Sequence, residues 1–116
     1  MRYYNHMATC IDFINFIHDQ LDAHIPITHK KMFGEYMVYC DGRAVLLVCD
    51  DTVFVKKLPE TTAVFDAHGV TPNVGIPYDG TREHYILDIE NVDLAVDMVR
   101  ELARVLPIPK SKKQNK

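Results

Sequence analysis

The adjacent carboxylates Asp50 and Asp51 are the pair best suited to chemistry in this chain. Two neighbouring acids can share a proton or begin an oxygen cage for a divalent cation. No further oxygen ligands follow at metal-binding spacing, however, and two acids between apolar runs read as a polar hairpin turn. Lys56 and Lys57 could hold an anion, but successive strand residues point to opposite faces, so a solvated strand end is expected. Cys40, beside Asp41, could be a nucleophile activated by His29 or His84. No local motif demands this, and a buried structural thiol is the expected state. The six histidines (His6, His18, His24, His29, His68 and His84) form no HxxxH, no HExxH and no Cys/His pair at zinc spacing. Neither a metal nor a cofactor is expected. The one serine, Ser111, lies near the end of the chain, and Walker, GxGxxG and GxSxG patterns are absent. Tyr36, Tyr39 and Phe33 could stack nucleic-acid bases, but alternation aims Tyr36 and Tyr39 at opposite faces, which favours sheet packing. A small enzyme would have to work with Asp50, Asp51, His84 and Cys40. The expectation is a protein that is not an enzyme.

Composition bounds the remaining possibilities. The chain has 116 residues, 47% of them hydrophobic and 25% charged, the proportions of one ordinary globular domain. The longest apolar run, Ala44 to Cys49, has six residues, against about 20 for a spanning helix, so no membrane association is expected. Asp12, Asp19 and Asp22 in the first segment do not suit a signal or transit peptide. Cys10, Cys40 and Cys49 are an odd number of cysteines without a CxxC pair, as a reducing compartment allows. Cytoplasmic location is the expectation. The formal net charge is −3, yet Lys110, Lys112, Lys113 and Lys116 all fall in the last seven positions. Residues 1–109 therefore carry nine basic against sixteen acidic residues. So acidic a body would repel phosphate backbones, which are bound mainly through cations. Nucleic acid, if bound at all, would meet the tail. The expected organisation is one domain over residues 1–109 and a solvated, disordered basic tail over 110–116.

Hydropathy patterning supplies the elements. Cys10, Phe13, Ile14, Ile17 and Leu21 make one apolar stripe on a helix from about Ala8 to Ala23, with Thr9 as N-cap and Asp12, Asn15, Asp19 and Asp22 opposite. Pro26 stops it. From Ile27 to Lys57 the period changes to two. Asp41-Gly42 is a strong type I′ hairpin signal and, in a tight turn, pairs Cys40 with Arg43, Val38 with Val45 and Tyr36 with Leu47. Asp50-Asp51 turns the chain into a third strand, Thr52–Lys57. Gly34 reads as a bulge or close approach within the first strand run. In this register Tyr36, Val38, Cys40, Val45, Leu47, Cys49 and Phe54 share one face. Met37, Tyr39, Ala44, Leu46, Val48, Val53 and Val55 share the other. Both faces are apolar, so both are expected to be covered, in part by a second copy or a partner. Cys49 then lies opposite Gly34 rather than Cys40, which argues against a Cys40–Cys49 disulfide.

A short helix from Pro59 to His68 presents Ala63, Val64 and Ala67, with Phe65 beside them. A Pro- and Gly-rich loop follows over 70–83, with an edge strand near Ile76, and then a strand, His84–Ile89. Asn91 caps a final helix, Val92–Leu106, with a buried stripe at Ala95, Met98, Val99, Leu102 and Leu106. The order α-β-β-β-α-(β)-β-α is that of a two-layer α+β domain whose antiparallel sheet packs against helices.

The run Lys30-Lys31-Met32-Phe33-Gly34-Glu35-Tyr36, then Tyr39-Cys40-Asp41-Gly42, then Asp50-Asp51 and Phe54-Val55-Lys56, resembles the N-terminal domain of the TfoX/Sxy competence-regulator family. The motif residues are Met32, Phe33, Gly34, Tyr36, Tyr39, Asp41, Gly42, Asp50, Asp51 and Lys56, in structural or interaction roles. The resemblance implies a two-layer fold like that of type III secretion chaperones, dimerisation, and regulation without a catalytic site. A lysine pair stands here where the family often has arginines. Full-length competence regulators also carry a C-terminal helical domain that this chain ends without, so a stand-alone module is expected. The expected function is that of a non-catalytic regulatory module acting through protein contacts or homodimerisation. The alternatives are a transcriptional accessory protein that meets nucleic acid through its tail, and a small enzyme.

Overall fold

The computed structural model describes residues 11–32 and 34–108. In chain order the elements are α1 (Ile11–Leu21), β1 (Thr28–Met32), β2 (Glu35–Cys40), β3 (Arg43–Cys49), β4 (Thr52–Lys56), α2 (Pro59–Ala67), β5 (Val74–Gly75), β6 (His84–Leu87) and α3 (Val92–Val105). The six strands form one antiparallel sheet in the order β1-β2-β3-β4-β6-β5. The fold is α+β, as the patterning indicates. Two elements differ from the sequence reading. The apolar run from Ile27 to Cys40 is a hairpin rather than one bulged strand. Met32 pairs with Glu35 across a two-residue connection, and Gly34 turns the chain at φ 83°, where a side chain would be strained. The edge strand β5 lies at Val74–Gly75, just before Ile76.

Turn chemistry explains the central meander. Asp41 and Gly42 have φ of 53° and 78°, both positive as a type I′ turn requires. Asp50 and Asp51 repeat that geometry at 53° and 55° without glycine, which short polar side chains tolerate better than other residues. The Thr52 hydroxyl donates to the Asp50 carbonyl at 3.2 Å.

One irregularity decides which side chains become core. Cys40 pairs with Arg43 and Tyr39 with Ala44, but Val38 pairs with Leu46, Met37 with Leu47 and Tyr36 with Val48. Val45 is the additional residue of a β-bulge, and every β3 position beyond it is displaced by one. The expected face assignment is therefore corrected from Leu46 onward. Leu46 and Val48 join Tyr36, Val38, Val53, Val55 and Leu87 in the main core, while Leu47 joins Met37 and Phe54 on the other side.

All three helices serve the first of these faces. Ile14, Ile17 and Leu21 of α1 are fully buried, with Phe13 half-buried; Cys10 and Thr9 lie outside the described residues. In α3 the buried positions are Leu94, Ala95, Val96, Met98, Val99 and Leu102, and the Asn91 side chain accepts from the Leu94 amide at 3.3 Å. Leu106 is half-buried at the C-cap. α2 corrects the expected apolar side: Ala63 and Ala67 are exposed, whereas Phe65 and Thr61 are buried one turn apart. Thr61 can be dry because its hydroxyl is satisfied. It accepts from the Leu58 amide at 2.9 Å and donates to the Lys56 carbonyl at 2.7 Å, which ties the end of β4 to the first turn of α2.

Candidate functional site

The face of the sheet that no helix covers among the described residues, the uncovered face below, is the candidate site. Strict alternation places Met37 and Tyr39 of β2, Leu47 of β3, Phe54 and Lys56 of β4, and His84 and Ile86 of β6 on it. Phe54 is buried, while Met37, Tyr39, Leu47, His84 and Ile86 are half-buried. The turn Tyr78–Glu83 walls one end. Met37, Leu47, Phe54, Lys56 and His84 line, with this turn, a groove of about 630 Å³. Met37, Leu47 and Phe54 give it an apolar floor; Lys56, Arg82 and His84 give it polar sides. The His84 ring stands edge-on to Phe54, centroids 6.4 Å apart. Its Nδ1 donates to the Arg82 carbonyl at 2.8 Å, which leaves Nε2 as the other ring nitrogen.

Lys57 bonds the Glu83 carboxylate at 2.8 Å and lies 5.6 Å from the centre of the Tyr85 ring. The Glu83 bond, the largest contribution, raises the Lys57 pKa. Lys56 and Lys57, expected at a solvated strand end, thus differ. Lys57 is ion-paired, whereas neither the Lys56 nor the Arg82 side chain has an ionic or hydrogen-bond partner among the described residues.

The motif residues divide between framework and open face. Gly34, Asp41, Gly42, Asp50 and Asp51 are turn residues. Tyr36 is buried on the helix side with its ring edge-on to His29 at 5.6 Å. Met32, Tyr39 and Lys56 lie on the uncovered face. Phe33 lies outside the described residues, as do Lys110, Lys112, Lys113 and Lys116. Arg43, not singled out in the sequence, locks the framework. Its Nη1 donates to the Asp41 carboxylate at 3.0 Å, and its Nε donates to the Leu106 carbonyl at 2.8 Å. The β2–β3 turn is thereby fastened to the end of α3.

The residues that catalysis would have to use are not assembled. Asp50 and Asp51 sit at the opposite end of the meander from Cys40, and Cys40 faces the helices whereas His84 faces the groove. Both described thiols are free and buried. Burial raises the Cys40 pKa, with Asp41 adding to it. Cys49 is pushed up to about 12, mainly by burial and then by the Glu35 carboxylate it hydrogen-bonds, so it stays a thiol at neutral pH. The bulge places Cys49 toward Glu35, correcting the expected position opposite Gly34.

Sequence reasoning missed a polar chain between α1 and β1. His18 Nδ1 lies 3.0 Å from the Asp22 carboxylate, and His18 Nε2 lies 2.9 Å from His29 Nδ1. The i,i+4 spacing of His18 and Asp22 was a readable signal; the partnership with His29 depends on how α1 docks. His68 Nε2 and the Asp97 carboxylate, 2.7 Å apart, similarly link α2 to α3. Among the described residues no group of three or more His, Cys, Asp or Glu side chains could hold a metal ion, and no helix is long and apolar enough to cross a membrane.

Comparison with known proteins agrees with the motif. The chain is 30% identical over 109 residues, 92% of its length and 91% of the other's, to a protein of Spirochaeta aurantia described as an uncharacterized 12.7 kDa protein in the trpE 5′ region. A family model described as the TfoX N-terminal domain matches residues 19–101. That match spans well over half of the chain and takes in the whole sheet, so the chain belongs to the TfoX N-terminal domain family.

Proposed function

We propose that this protein is a non-catalytic regulatory module, like the N-terminal domains of competence regulators, that acts through protein contacts. It would pair with a second copy or a partner protein through the β1–β2 part of the uncovered sheet face. The observation that carries this reading is the one-sided placement of the helices, which leaves Met32, Met37 and Tyr39 without a covering layer among the described residues. Apolar sheet surface is favourably covered, because each buried Å² contributes about 25 cal/mol. β1 is also an edge strand, and its Lys30 and Lys31 discourage indiscriminate pairing of that edge. Membership of a regulator family and the dispersal of Asp50, Asp51, Cys40 and His84 support the non-catalytic part.

The test combines sedimentation velocity with a tagged pull-down from native lysate, with and without nuclease. A dimer, or a protein partner that survives nuclease, and its loss in a Met32→Glu/Tyr39→Glu variant, are expected. A monomer that retains no partner would overturn the reading. Partners that vanish with nuclease would transfer the activity to the lysines of residues 110–116.

A further inference from the structure

The groove at the other end of the uncovered face has a chemistry that protein contacts alone do not require. Its 630 Å³ falls within the roughly 300–1,000 Å³ of small-molecule sites. Its charge is the inverse of the body's. Lys56, Lys57 and Arg82 are three of only nine basic residues in positions 1–109, and all line this one cavity. Lys57 is neutralised by Glu83 at 2.8 Å. Lys56 and Arg82 are left as cations without partners among the described residues, next to an apolar floor of Met37, Leu47 and Phe54. Two free cations suit a single anionic head. With Glu83 paired to Lys57, the apolar floor beside the two cations suits an anion that carries an apolar body better than a polyphosphate, which has none.

We propose that the groove binds a small organic monocarboxylate with an apolar body, the head group at Lys56 and Arg82 and the body on Met37, Leu47 and Phe54. With Nδ1 donating to the Arg82 carbonyl, His84 presents Nε2 as an acceptor, so the carboxylate is left to Lys56 and Arg82. The Tyr78–Glu83 turn sets the size limit by closing one end. This inference goes beyond the interaction-module reading and does not depend on it.

The experiment is a titration of the full chain with octanoate, followed by calorimetry and backbone amide NMR, with 1-octanol and inorganic phosphate as comparison probes. Octanoate is expected to shift amide resonances around Met37, Leu47, Phe54 and His84, and to bind at least tenfold more tightly than either comparison probe. The Lys56→Met/Arg82→Met variant should lose at least tenfold in octanoate affinity while unfolding at the same temperature as the parent, because both charged side chains are exposed. Glu83→Gln, which frees Lys57, should bind octanoate more tightly. Octanol binding as well as octanoate would overturn the cationic half of the site, and phosphate binding as well would overturn the apolar half. Absence of any shift would overturn both. Groove resonances that move with protein concentration but not with octanoate would make the groove a contact between copies, and would also overturn the proposal.

Discussion

The two faces of the sheet are built from nearly the same kinds of residue, yet one is a core and the other a surface. On the helix side, Val38, Leu46, Val48, Val53, Val55 and Leu87 are all at most 3% exposed. On the other side, Met37, Leu47 and Ile86 are only half-buried, and the polar side chains of Lys56 and His84 interrupt them. Hydrophobicity alone does not assign a face. What distinguishes the two is the supply of helices: α1, α2 and α3 all pack on one side, and α3 has a fully apolar stripe to give it. The remaining face keeps apolar area beside charged side chains, the combination on which both proposals above draw.

The hardest blow to this division would be charge placed on its core face. A Leu46→Lys/Val48→Lys variant puts two ammonium groups where the native side chains are at most 1% exposed. Loss of cooperative unfolding in urea is the expected result, because a buried charge without a partner is too costly to keep. A stable, cooperative variant would mean that the two faces are interchangeable.

A milder cut separates neighbours on one strand. Leu46→Ala should cost about 2–5 kcal/mol in urea unfolding, the usual range for a buried leucine. Leu47→Ala, on the half-buried side, should cost about 1 kcal/mol, scaled by its smaller buried area. Equal costs would show that the uncovered face is covered in solution.

The two described cysteines sharpen the comparison electrostatically, since Cys40 faces the helices and Cys49 the other side. The folded pKa of Cys49, about 12, lies above the ordinary thiol value of 9.0. The unfolded chain therefore loses this proton first as pH rises. The stabilising contribution is complete below pH 9 and is lost on the way to about 12. Between those values the slope is about −1.4 kcal/mol per pH unit. Cys49→Ala should flatten the fall in stability above pH 9, measured by denaturant titration at several pH values. An unchanged slope would show that the thiol is not held dry beside Glu35.

The smallest effect is expected at the turns that join these strands. Asp51 holds φ of 55° with a side chain, where Gly42 holds 78° without one. Asp51→Gly should raise stability by up to about 1 kcal/mol, the relief of left-handed backbone less the added freedom of the unfolded chain. A loss of stability would mean that the Asp51 side chain contributes more than its backbone strain costs.

Local chemistry made much of the architecture readable. The stripe Ile14, Ile17 and Leu21, the cap at Asn91 and the Asp41-Gly42 turn each depend on residues within one turn of helix or hairpin. The hairpin at Gly34 was less legible, because a lone glycine in an apolar run signals a bulge as readily as a turn. The groove was illegible for a different reason. Met37, Leu47, Phe54, Lys56, Arg82 and His84 come from four separate stretches of chain, and no short pattern records their convergence.

The sequence by itself determined the element types, the two hairpin connections at Asp41-Gly42 and Asp50-Asp51 and the family, because periodicity, turn residues and a contiguous motif are local quantities. Only the tertiary structure decided which sheet face is core, where Cys49 and Glu35 meet and what surrounds Lys56. Those outcomes rest on one bulge at Val45 and on all three helices choosing the same side. Both are settled by the packing of the whole chain, where burying Leu46 and Val48 under α3 outweighs the regular register that the turn alone would favour.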